Sequence, residues 1–176
     1  RLDKPSPASV NSGLSPLHQR TMIELIGAPR PQLCQDCMPP TNPRLKLKTV
    51  TKNVGPFRVT GHAAAVASLE KVFAAVKAKN PEIYAMIGTA GMMCCRAVRG
   101  SKTSWSNHSW GFAIDLKIGG VLDDRGDNKC QRGLLDLYSF FHAEGWYWGT
   151  EFPTEDSMHF EVADETVRKW AAAGLL

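Results

Sequence analysis

Between Ala63 and Lys79 the apolar residues Val66, Leu69, Phe73 and Val76 recur at steps of 3, 4 and 3. This spacing predicts an amphipathic helix. Asn80-Pro81 ends it, because proline lacks the donor that would continue the ladder and disfavours helical geometry in the residue before it. A shorter helix is expected over Leu17 to Ile26, stopped by Gly27 and Pro29, and another through Leu134, Tyr138 and Phe141, closed by Gly145. Strands are expected at Phe57 to Thr60, at Phe112 to Ile118 before the Gly119-Gly120 turn, and at Met158 to Val162. Met86 to Val98 is apolar and small but broken by Gly88 and Gly91, which predicts two strand pieces or one strand with a bulge. Asp164 stands where an N-cap would start a last helix through Trp170.

Helices and short strands in mixed order, without a βαβ repeat, predict an α+β fold with a small antiparallel sheet and flanking helices. Residues 1–16 hold Pro5, Pro7, Pro16, Gly13 and several serines, the composition of a flexible arm. Residues 17–176 then form one domain, for which 43% apolar content supplies one core. The proline-rich stretch Ala28 to Pro43 is expected as an irregular loop.

The formal charge of +4 suits an anionic partner without demanding one. Basic residues are scattered and not interleaved with aromatics, so no nucleic-acid partner is expected. No apolar run reaches the roughly 18 to 20 residues of a membrane span, and nothing in the chain calls for more than a monomer. Of the five cysteines, Cys34 and Cys37 have the spacing of half a zinc knuckle or of a redox pair, but no second such pair follows. A structural disulfide or plain thiols is the simpler reading.

The candidate chemistry lies in two blocks. The first runs Ser106-Asn107-His108-Ser109-Trp110-Gly111-Phe112-Ala113-Ile114-Asp115. His108 and Asp115 would be about 23 Å apart in one strand and about 10 Å apart in one helix, too far to share an ion held at roughly 2 Å. The chain must therefore reverse, and Gly111 permits it. The second block is Asp156-Ser157-Met158-His159-Phe160-Glu161. On a strand, His159 and Glu161 share one face while Met158, Phe160 and Val162 face the core. Three protein ligands and one water are the pattern of an open catalytic zinc.

Ser106-x-His108-x-x-Gly111-x-Ala113-x-Asp115 followed by Asp156-x-x-His159-Phe160-Glu161 closely resembles the zinc D-alanyl-D-alanine carboxypeptidase family, which includes phage L-alanyl-D-glutamate endolysins. The resemblance spans about Val54 to Trp170. It implies Zn2+ held by His108, Asp115 and His159, with Asp156 as general base. An upstream arginine that binds substrate and the oxyanion is implied as well, with Arg96 preferred to Arg99 as the inward-facing one. It further implies the zinc fold shared with Hedgehog signalling domains, and a peptidase acting on peptidoglycan stem peptides. Such an enzyme works in the cell envelope or outside the cell, or waits in the cytoplasm before release if it is a phage lysin.

Plainer readings stand beside these. His18, His62 and His142 are read as structural or exposed. Glu161 is read as orienting a ligand histidine, and Asp123 to Asn128 as a solvated turn, not a calcium loop. Trp105, Trp110, Trp146 and Trp148 serve equally as cleft walls or core. The rival from another class is a zinc-stabilised, non-catalytic binding domain of the same fold.

Overall fold

The computed structural model describes residues 1–176. Its first part runs through β1 (Leu2–Asp3), α1 (Gln19–Leu25), α2 (Pro43–Lys48), β2 (Thr49–Asn53), β3 (Arg58–His62), α3 (Ala63–Lys79) and α4 (Pro81–Tyr84). Then come β4 (Ile87–Gly91), β5 (Ala113–Ile118), β6 (Val121–Leu122), β7 (Lys129–Cys130), α5 (Arg132–Ala143), β8 (Trp146–Trp148), β9 (His159–Val162) and α6 (Asp164–Ala172). The main sheet has the order β4-β5-β9-β8 with β6 folded back on β5, and every pairing in it is antiparallel. The architecture is α+β, as the element order implies.

The period of two decides which face carries chemistry. Ile114 and Leu116 of β5 and Phe160 and Val162 of β9 are fully buried. Against them pack α3 and α5, with Phe141 stacked on Phe160 at 4.2 Å and edge-on to Phe73 at 5.9 Å. Each such side chain contributes about 1.5–3 kcal/mol by leaving water. The alternate residues Asp115, His159 and Glu161 are thereby turned to the other face. Trp110, Trp146 and Trp148 are core residues without exposure, whereas Trp105 borders a cleft.

α3 spans the segment that its apolar spacing marks, and β4 carries the anticipated bulge between Thr89 and Gly91. Elsewhere the chain departs from expectation. Each Asn-Pro pair starts a helix: Pro43 and Pro81 stand in the first turns of α2 and α4, where the missing donor costs nothing. The Asn42 side chain accepts from Arg44 and Leu45, and that of Asn80 from Ile83. Asp164 is the first residue of α6 and not its cap; its carboxylate binds the His18 N–H at 3.2 Å and Arg168 at 3.0 Å. Met158 is buried with the core residues but lies at the edge of the core, one residue before β9 begins, where it also borders the cleft.

Residues 1–16, expected as a flexible arm, are laid along the domain. Leu2 and Asp3 pair with Cys130 and Lys129, and the Arg1 guanidinium meets Asp123 at 2.7 Å and Asp127 at 2.6 Å. The Asn11 side chain donates to the Trp148 carbonyl at 3.0 Å and accepts from its N–H at 2.8 Å. Polar partners such as these hold a segment whose composition promises little apolar burial. Cys37 is bonded to Cys94, so the Cys34-x-x-Cys37 motif does not pair within itself; Cys34, Cys95 and Cys130 are free.

His62 is buried, stacks on Phe112 and caps α3 by accepting the Ala64 N–H on Nδ1 at 3.1 Å. Burial, helped by nearby Lys48, lowers its pKa from 6.5 to about 4. A depressed histidine stabilises the fold fully above 6.5, and that contribution is lost as the pH falls towards 4, where the unfolded chain binds the extra proton. Denaturant unfolding of metal-free protein should show about 3 kcal/mol more acid loss for wild type than for His62→Asn over this window. Asparagine keeps a capping oxygen and cannot titrate. Parallel stability-against-pH curves for the two proteins would refute the role.

Candidate metal centre

His108 lies in a 3-10 turn, Asn107–Trp110, that ends at Gly111 with φ of +74°. A Cβ at Gly111 would stand 2.8 Å from the Gly61 Cα, and the His62 nitrogen is nearer still, so the reversal requires glycine. The turn is further held where the Cys94 N–H donates to the His108 carbonyl at 3.0 Å. The chain then enters β5, where Asp115 is in register with His159 of β9. Cross-strand pairing and a glycine turn thus converge on one point.

His108 Nε2 lies 3.3 Å from Asp115 Oδ1, and His159 Nδ1 lies 3.1 Å from the same oxygen. The other nitrogen of each ring faces an atom that can only accept: His108 Nδ1 meets the Met92 carbonyl at 2.6 Å, and His159 Nε2 meets Glu161 Oε2 at 2.9 Å. In neutral rings each of those nitrogens carries the proton, leaving lone pairs on His108 Nε2 and His159 Nδ1. Two lone pairs and a carboxylate oxygen then face one another with no proton of their own. Such a cradle could hold a cation. Its donor set of two nitrogens and one oxygen suits zinc, and ligands at about 2.0–2.1 Å in a tetrahedron stand roughly 3.3 Å apart.

Without an ion, protons fill the same gap: burial opposes ionisation of Asp115, but hydrogen bonds from the His108 and His159 rings outweigh it and hold the carboxyl well below its ordinary range. Burial likewise disfavours a charged His159, and Asp115 and Glu161 reverse this, raising its affinity for positive charge.

Asp156 stands in the turn before β9. Its N–H donates to the Gly149 carbonyl at 3.0 Å, and its own carbonyl accepts the His159 N–H at 3.1 Å. Oδ2 lies 3.4 Å from Arg125 Nε, while Oδ1 is buried without a partner. Burial pushes this carboxyl up from its ordinary value.

His108, Asp115, Asp156 and His159 open onto one cleft of about 300 Å³. Arg96 and Arg99 both border it, so lining alone does not choose between them. Arg96 is the more constrained: its N–H donates to Ser109 Oγ at 3.1 Å and its guanidinium to the Ala97 carbonyl at 3.0 Å. Arg125 is a site residue that the motifs do not disclose, because it sits in the turn read as merely solvated. Pro16 and Leu17, from the N-terminal segment, also form part of the wall. His62 and His142 serve elsewhere, His142 Nε2 meeting the Ser12 carbonyl at 2.8 Å.

Residues 99–162 match the family model described as D-alanyl-D-alanine carboxypeptidase. This span contains both motif blocks and begins just after Arg96, so the resemblance seen in the sequence stands, over a shorter stretch than Val54 to Trp170. No curated protein matches the chain.

Proposed function

Taking the peptidase-family match over residues 99–162 as premise, we propose that this protein is a zinc peptidase that hydrolyses an amide in the stem peptide of peptidoglycan, of the D-Ala-D-Ala or L-Ala-D-Glu type. The observation that carries the reading is the convergence of proton-free donors on His108, Asp115 and His159 beside a buried, unpartnered Asp156 oxygen. A zinc ion held there would polarise the scissile carbonyl and make water more acidic. Asp156 accepts the proton of the attacking water and delivers it to the leaving amine as the C–N bond breaks. Arg96 holds the charge developing on the carbonyl oxygen. A purely structural metal site has no use for a free carboxylate at this position. The zinc fold shared with Hedgehog signalling domains accords with an antiparallel sheet that carries two of the three proposed ligands, and one chain supplies the whole site. The Cys37–Cys94 disulfide suits the cell envelope or the outside of the cell.

The test pairs metal analysis of the purified protein with mass spectrometry of products from a defined muropeptide. One zinc per chain and a single cleaved amide are expected. Stoichiometric zinc with no cleavage of any wall type would instead make this a zinc-stabilised binding domain.

A further inference from the structure

The carboxylate facing His159 is itself held from the N-terminal segment. Glu161 is 2% exposed, and its oxygens receive three donors. Oε2 accepts from His159 Nε2 at 2.9 Å and Asn107 Nδ2 at 3.0 Å, while Oε1 accepts the Leu17 N–H at 2.8 Å. Asn107 Nδ2 also donates to the Leu17 carbonyl at 2.8 Å. Leu17, Asn107 and Glu161 therefore close a ring of hydrogen bonds, and the leucine's place in that ring is defined by backbone atoms alone.

The flanking residues keep Leu17 in place. The Ser15 carbonyl accepts the Asp164 N–H at 3.1 Å, the Ser15 N–H donates to Glu165 at 2.9 Å, and the His18 N–H donates to Asp164. Further back, Asn11 brackets Trp148 from a backbone with φ of +58°. Deprived of Leu17 and Asn107, Glu161 would retain only His159 as a partner and lose its fixed direction.

We propose that the segment Ser15–Leu17, acting through Asn107 and Glu161, is a positioning part of the metal centre. It fixes the acceptor of His159 Nε2–H and so aims the Nδ1 lone pair at the site shared with His108 and Asp115. The proposal rests on the metal reading of that site. Partners that orient ligand histidines in this way alter metal affinity by about 10–100-fold when removed. Coupling between metal and segment must also be reciprocal: whatever loosens the segment weakens the metal, and the metal must tighten the segment by the same factor.

Two measurements on the 176-residue chain test this: zinc affinity by chelator competition, and hydrogen exchange of the Leu17 amide with and without zinc. Asn107→Ala removes both donations from the carboxamide and should weaken zinc binding about 10–100-fold. Asn11→Gly keeps the positive φ but releases the segment far from the metal, and it should weaken zinc by a smaller factor in the same direction. It also keeps the proposal testable if Asn107→Ala does not fold. Zinc should slow exchange of the Leu17 amide in wild type and slow it less in Asn11→Gly. If wild type binds zinc but Asn11→Gly and any folded Asn107→Ala bind it equally well, with Leu17 exchange indifferent to zinc, the proposal is overturned and the metal reading stands. A wild type that binds no zinc overturns the metal reading, and this proposal with it.

Discussion

Asp156→Asn should lose peptidoglycan cleavage by a factor on the order of 10² to 10⁴ in kcat, the usual contribution of a positioned acid or base, while keeping near-stoichiometric zinc. The substitution preserves shape and the backbone bonds to Gly149 and His159, so a steric excuse is weak. What it removes is the ability to take a proton. Glu161→Gln distinguishes the competing assignment. Its carboxylate is buried among donors from Leu17, Asn107 and His159, so an amide there turns one donor against another and should weaken zinc before it affects turnover. If Asp156→Asn cleaves as wild type while Glu161→Gln is inactive with zinc still bound, the base is Glu161.

Local physics explains which parts of this arrangement could be read in the sequence. α3 was legible because a run of apolar residues at helical spacing ended at a proline, so period and boundary came from independent signals. The chain reversal at Gly111 followed from reach alone, since neither helix nor strand could bring His108 to Asp115. Asn80-Pro81 ends α3 as expected, but that it also begins α4 was not legible, because proline ends one helix and begins another equally well and only the tertiary path decides. Asp164 has the chemistry of a cap, yet its carboxylate is drawn to Arg168 one turn along the helix and to the His18 N–H, the second a contact separated too widely along the chain to show as a motif.

The N-terminal segment and Arg125 were hidden for a related reason. Composition weighs what a segment can bury, whereas residues 1–17 are held largely by hydrogen bonds and ion pairs to residues more than a hundred positions away. Arg125 lies in an acidic turn whose other members bind Arg1, so its approach to Asp156 exists only once the fold is closed. The cluster of His108, Asp115 and His159 was visible because the residue types are rare and their spacing is fixed by the turn and strand that carry them. The groups that hold those side chains are ordinary residues, set in place by register.

Removal of a ligand should separate cleanly from removal of the base. Metal that binds only the native state adds to folding free energy by mass action, about 4 kcal/mol when zinc is present at a thousand times its dissociation constant. For a chain of this size that is roughly a 10 °C rise in melting temperature, which wild type and Asp156→Asn should both show on adding zinc and lose with chelator. His108→Ala and His159→Ala should lose most of the zinc-dependent rise and bind far less metal. The two should also differ without metal. His108→Ala takes the donor from the Met92 carbonyl and one partner from Asp115, whereas His159→Ala takes a partner from two carboxylates, Asp115 and the 2%-exposed Glu161, and losing partners of two acidic groups costs more than losing those of one acid and one neutral acceptor. Metal-free His159→Ala is therefore expected to melt below metal-free His108→Ala by calorimetry. Zinc content and melting temperatures equal to wild type in both variants would refute the ligand assignment.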